Sequence, residues 1–450
     1  MERVRWPAFI IALALLGCAT QAAPTPTPTL GNATSRPGGS KGIAPGSDRV
    51  AGWTSDLEGL LPAMQAIHPD LYHGTSQSEL EGAVTMLTQS VATADDDELM
   101  VGVLKIVAAI SAEGRDGHTG VFIWGNGTYL VHSLPLRLWT FSDGLYIVAA
   151  LPPYEGLVGS RVDSVAGLKT ADVVQALDPL IPRDNPETVT LLAPRYLLVP
   201  EVLHGLGLLN GVGPIELGIK DPAGVGRAAT VEPIEMSAYN DWAGPYGLHL
   251  PPISDVLYLS RSEEPLWHAP IGETTLYVQY NRVDRLAPSR FEEIRVAAAQ
   301  PAVRRVVVDL RHNYGGETYA YAPLLAVLTS PGISGKELYV ITGRNTFSAA
   351  SLFAAEVDRE TDALFVGEPM GGSPNLYGNS RDVSLPYSRL VVSVATEYFV
   401  RSTPDDERLT IDPDIPTSLA RRGAGRGAGP PAQPDAQGAP ATGSAGLQRG

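Results

Sequence analysis

The chain has 450 residues, too many for one small core and about right for two or three domains with tails. A formal charge of −16 and a pI near 4.9 exclude a nucleic-acid partner gripped through its phosphates, since no Lys/Arg cluster supplies a basic field in the central region. The 47 Gly and 38 Pro gather toward the two ends, which predicts disordered flanks around a folded middle.

In chain order, the first segment, "MERVRWPAFIIALALLGC", sets Arg3 and Arg5 ahead of an apolar run too short to span a bilayer comfortably. It reads as a secretory signal, residues 1–18. Its end, Leu15-Leu16-Gly17-Cys18, resembles the bacterial lipobox, which implies cleavage before Cys18 and lipidation of that residue. A plain cleaved signal with an incidental cysteine is the alternative. Cys18 is the single cysteine, so no disulfide framework competes for it. Residues 19–46, rich in Pro and Thr, read as a tether from a membrane to the folded body. The expected location is therefore the bacterial cell envelope, with a membrane partner through the lipid on Cys18.

From 47 to 133 the apolar spacing predicts a helical subdomain, with Asp95 to Asp97 capping its last helix and the turn "GRDGHTGV" at its exit. Residues 134–235 hold short β-rich runs, with Ala166-Gly167 as a tight turn between strand and helix; this order resembles a PDZ module. From 236 to 420 strands and helices alternate, and "VRRVVVDLR" has the unbroken apolar run of a strand buried on both faces. A final strand pair, "RDVSLP" and "RLVVSVATEYFV", closes that core. The fold class expected is α/β and multidomain, and residues 421–450 are a low-complexity tail.

Ligand chemistry in such a sheet collects at the carboxyl ends of its strands, where the loops "DLRHNYGGE", "GRNTFSAAS" and "GEPMGGSPN" would lie. Gly315 and Gly316 let backbone N–H groups turn toward one point, as an oxyanion hole requires. Ser348 stands where a helix begins, a position suited to a nucleophile near the positive dipole end and equally to a cap. No cluster of His, Cys and Asp has metal-ligand spacing in the sequence, so neither a metal nor a cofactor is expected.

Together "VVVDLRHNYGG", "NTFSAASLFAA", "FVGEPMGGSPN" and "TIDPDIP" resemble, in order and spacing, the tail-specific, C-terminal-processing serine peptidases and the related tricorn core. The resemblance implies an α/β core of ClpP/crotonase-like type and hydrolysis of protein or peptide substrates. It places the nucleophile at Ser348, and the oxyanion donors at Gly315 or Gly316 and at Ala349. The lysine that serves as base in one branch falls at Ser373, twenty-five residues after Ser348, and no lysine follows Lys336. A serine hydroxyl still needs a base. The tricorn-like branch takes a histidine from outside the core, which implies His118, with Glu407 as its orienter. Asp116 is the alternative orienter and His312 the competing base. Glu368, Asn375 and Tyr377 are expected in a loop beside the nucleophile, shaping the substrate cleft. The rival expectation is a non-catalytic lipoprotein that keeps the fold and binds a peptide or an apolar ligand.

Overall fold

The computed structural model describes residues 47–124, 131–244 and 249–418. The proposed signal, tether, Cys18 and the tail from 421 lie outside the described residues.

Three helices come first: α1 (Ser47–Gln65), α2 (Gln77–Ser90) and α3 (Asp96–Ala108). The second and third open on capping boxes, Ser76 with Glu79 and Asp95 with Glu98, each satisfying two otherwise orphaned N–H groups for about 1 kcal/mol. Leu99, Val103, Ile106 and Val107 bury α3, which packs on the short strand β1 (Gly120–Val121). The turn carrying His118 lies between this helix and that strand.

Next come β2 (His132–Ser133), β3 (Leu136–Phe141), β4 (Gly144–Ala150), β5 (Arg161–Val165), β6 (Leu168–Lys169), α4 (Thr170–Leu177), α5 (Pro186–Tyr196), α6 (Pro200–Gly205), β7 (Ile215–Lys220), β8 (Gly226–Val231) and β9 (Ile234–Glu235). An antiparallel sheet runs β3-β4-β5-β7-β8, with β6 paired to β5, while β2 pairs β9. The turn expected at Ala166-Gly167 is there, with φ of 50° and 80°, and leads through β6 into α4. Helices α5 and α6 fill the segment that exceeds a minimal β module.

The remainder comprises α7 (Met236–Ala243), α8 (Leu257–Ser260), β10 (Leu266–Ile271), β11 (Thr275–Tyr280), α9 (Pro288–Ala298), β12 (Arg305–Asp309), α10 (Ala322–Leu328), β13 (Glu337–Thr342), α11 (Ala349–Glu360), β14 (Leu364–Gly367), β15 (Asn375–Ser384), β16 (Val391–Val400) and β17 (Ile415–Pro416). Strands β11-β12-β13-β14-β17 are parallel, and β10 joins β11 antiparallel at one edge. Val308 opposite Val340, and Val340 opposite Phe365, are fully or almost fully buried, as the unbroken apolar run of β12 predicts. Small side chains let α11 approach closely: Ala349, Ala350, Ala354 and Ala355 are all completely buried. The protein is thus a mixed α/β chain with helices and several sheets.

The closing strand pair departs from expectation. Strands β15 and β16 do not extend the parallel sheet; they form a separate three-stranded sheet, β1-β16-β15. Gly120 pairs with Ser393 and Val121 with Val392, which ties the His118 turn to the C-terminal strands. The strand β15 also starts at Asn375, six residues before "RDVSLP". Its first four residues are all buried, so the period-2 alternation that marks a half-exposed strand is absent there.

Candidate active site

Asp309, Thr342 and Gly367 end three adjacent parallel strands, and the three suspected loops leave from them. Ser348 occupies the turn from β13 into α11 with φ 53° and ψ −129°, a conformation that costs a residue with a Cβ about 1–3 kcal/mol. Its side chain makes no capping hydrogen bond. Neighbouring groups hold the turn instead. Thr346 Oγ1 accepts from Gly343 N–H and donates to the Leu310 carbonyl, Ser351 Oγ donates to the Thr346 carbonyl, and Phe347 N–H donates to the Asn313 carbonyl. The Ser348 backbone, with no capping bond, is not a helix cap's.

His118 Nε2 lies 2.9 Å from Ser348 Oγ across 230 residues of sequence. The ring stacks on Phe347, 4.8 Å between centroids, and Phe347 stacks in turn on Tyr314. Gly117 leaves no room for a side chain. A Cβ there would lie 2.9 Å from the Phe347 ring and 3.2 Å from Asp184 Oδ1, which already accepts the Gly117 N–H at 2.6 Å. Burial pushes the His118 pKa below the ordinary histidine value, against the Asp116 carboxylate and the Tyr377 carbonyl, which favour the protonated ring. Burial thus favours the neutral ring. For Nε2 to accept the serine proton, Nδ1 must carry the ring hydrogen; Nδ1 is buried.

The two glycines divide their roles. Gly315 N–H is spent on Asn313 Oδ1 at 3.0 Å, so Gly315 is no oxyanion donor. What it supplies is the lack of a side chain, because a Cβ would sit 2.7 Å from Ser348 Cβ. Gly316 N–H and Ala349 N–H donate to no described group and remain the two candidate donors. Gly316 has φ 141°, and a Cβ on it would strike the Val283 carbonyl at 2.3 Å.

Other expected residues fall elsewhere. Glu407 is exposed and makes no hydrogen bond to His118. Asp116 is wholly buried behind the histidine turn. Burial would raise its pKa, but hydrogen bonds from His68 and His73 outweigh it and hold the carboxyl well below the usual range. His312 stacks on His249, away from Ser348 Oγ, and burial drives its pKa down to about 3, so it is no rival base. Glu368 is paired with Arg344 at 2.9 Å. The pair lines a cleft of about 400 Å³ with Trp139, Tyr258, Arg311 and His312, and this cleft reaches Asn345, three residues before the serine. Asn375 is a buried strand residue rather than a loop residue: it lies in β15, its amide donates to the Thr403 carbonyl and its oxygen accepts from Arg401 and Ser402 N–H. Tyr377 is also a strand residue, packed on His68, His73 and Tyr398.

Sequence reasoning missed Asp184. It accepts N–H bonds from Gly117 and from Ser373, joining the histidine turn to the loop where the other branch keeps its lysine. Burial raises its pKa to about 7, although both backbone hydrogen bonds oppose the shift. An acid in an ordinary-looking "PRDNPE" turn gives no sequence signal. Also unanticipated is the meeting of His68, His73 and Asp116, whose ligand atoms lie within 4.8 Å of one another. His68 Nδ1 accepts the Asp70 N–H, so its proton sits on Nε2 and is donated to Asp116 at 3.0 Å. That tautomer opposes metal binding, which would require a lone pair on the same nitrogen.

No protein-family model matches the chain, and no curated protein matches it in sequence. Among solved structures, mature CPAF superposes with a TM-score of 0.57 at 14% identity, over 83% of this chain and 93% of that one. Mature CPAF complexed with lactacystin gives 0.58 at 14% identity, over 83% and 94%. The photosystem II D1 C-terminal processing protease aligns at a TM-score of 0.39 and 13% identity, over 81% and 93%. The likeness to CPAF is one of fold, and at 83% of the chain it extends well beyond the parallel sheet.

Proposed function

We propose that the protein is a serine peptidase that hydrolyses peptide bonds of protein or peptide substrates with Ser348 as nucleophile and His118 as base. The observation that carries this reading is the 2.9 Å approach of His118 Nε2 to a strained serine that caps nothing. His118 takes the Ser348 proton as Oγ attacks the scissile carbonyl, then returns it from Nε2 to the leaving amine. Gly316 and Ala349 N–H groups receive the oxyanion. Removal of such a donor typically costs about 3–4 kcal/mol in turnover.

With Ser373 where a lysine base would stand, and a histidine arriving from outside the parallel sheet, the site follows the tricorn-like arrangement. Asp116 takes the place expected of Glu407 as the negative charge behind the histidine. The β3–β8 sheet, PDZ-like in its strand, turn and helix order, is suited to holding a substrate chain by strand addition at an open edge. Export, with lipid on Cys18 as the membrane anchor, completes the reading. Close contact between base and nucleophile weighs against a binder that merely keeps the fold.

Turnover of an unfolded protein substrate by the full chain tests this reading. Ser348→Ala and His118→Ala are each expected to lose at least about a hundredfold in rate while remaining folded. Equal turnover by wild type and Ser348→Ala would contradict it.

A further inference from the structure

Three groups that no sequence motif connects meet directly behind the base. Asp116 is fully buried, its Oδ1 accepting the Thr119 N–H at 3.0 Å and its Oδ2 the His68 Nε2–H at 3.0 Å. His73 Nε2 faces the same oxygen at 3.5 Å. Both imidazoles also pack on the Tyr377 ring, at 4.9 and 4.4 Å between centroids. Tyr377 N–H donates to the Arg115 carbonyl at 2.7 Å, fixing the strand against the histidine turn. Asp116 and the Tyr377 carbonyl are the groups that favour protonated His118. The two histidines therefore touch both supports of the catalytic imidazolium.

We propose that His68 and His73, from the connection between α1 and α2, are positioning residues for His118, holding Asp116 as a buried anion and Tyr377 in register behind the ring. The role rests on the peptidase reading above. A buried carboxylate with no partner would take up a proton, and its field on His118 would vanish. His68 prevents this with a neutral Nε2–H donor, while His73 supplies a second nitrogen on the same oxygen. The charged and titratable groups facing Asp116 are His68 and His73 from the α1–α2 connection, His118 and Arg115 in its own turn, Asp184 ahead of α5, and Tyr377 on β15. Asp184 is the one acid among them. Its ionisation opposes that of Asp116, so the two histidines also counter this repulsion.

The test uses the full chain carrying ¹³C-labelled histidine in a Ser348→Ala background, where the His118 titration is followed by NMR without any chemistry, together with the pH profile of phosphonylation by a fluorophosphonate, with release of fluoride, in the Ser348 chain. His68→Leu is expected to move the His118 midpoint to lower pH, because anionic support is lost, and to lower the phosphonylation plateau about tenfold. His68→Gln, which restores an N–H donor at the Nε2 position, is expected to recover most of both. If His68→Leu does not fold, His73→Leu, at a half-buried position, carries the same expectation. An unchanged midpoint and plateau in a folded variant overturns the proposal. A midpoint that moves in a chain that is never phosphonylated sustains the positioning role and removes the peptidase reading instead.

Discussion

Ser348 shows how little its neighbours in sequence determine about it. Asn345, Thr346 and the alanine-rich run after it are equally good context for a cap, and only the backbone at φ 53°, with no capping bond, separates the two roles. Gly315 and Gly316 look alike in the sequence but differ in the fold: one N–H is consumed by Asn313, and the other donates to no described group. His118 carries a pH prediction. The base must be neutral, its neutral fraction rises with pH, and burial lowers its pKa. Acylation is thus expected to rise with pH to a midpoint below the ordinary histidine value of about 6.5 and to be level by neutrality. A stopped-flow profile with its midpoint above neutral pH would rule out this environment for the base.

Strands and helices of the parallel sheet were legible because their signals are local: the buried run of β12, the amphipathic α9 and the alternation of elements all follow from short windows. The start of β15 was not, because Asn375 to Gly378 are buried on both faces and their Asn, Gly and Pro surroundings imitate a loop. That one misplacement put Asn375 and Tyr377 in the substrate cleft. Asp184 was hidden for a different reason, since its two N–H donors come from loops far apart in the chain. It has a measurable consequence for the loops it joins. With a folded pKa of about 7 against an unfolded value near 3.9, the native carboxyl keeps a proton that the unfolded chain has released. Its contribution to stability is therefore present at low pH, declines as pH rises through that window and is gone above about 7. The melting temperature of wild type minus that of Asp184→Asn is expected to fall between pH 5 and 7 and to level off above. A difference that stays flat would show that Asp184 does not titrate there.

At the scale of the molecule, the order of motifs pointed to Ser348 and His118, which the fold brings within 2.9 Å, but what packs behind the histidine depends on closure of the whole chain. The helical N-terminal part is joined to the C-terminal strands, with Asp56 in α1 accepting the Tyr387 and Ser388 N–H groups between β15 and β16. The strand β1 adds to β16, and Thr119 Oγ1 accepts the Ala395 N–H. The histidine turn is thereby held between elements from opposite ends of the sequence. Glu407 fitted the expected spacing, yet it ends exposed, while the "HPDLYH" stretch, which carried no recognisable pattern, supplies the groups that meet Asp116. Closure of this kind leaves no periodicity or composition to read. The central claim remains the activated serine. Incubating the intact chain with a fluorophosphonate and mapping the adduct by peptide mass spectrometry tests it most directly. One adduct is expected, on Ser348, absent in Ser348→Ala and strongly reduced in His118→Ala. No adduct on the wild-type chain, or one on another serine that survives Ser348→Ala, would contradict it.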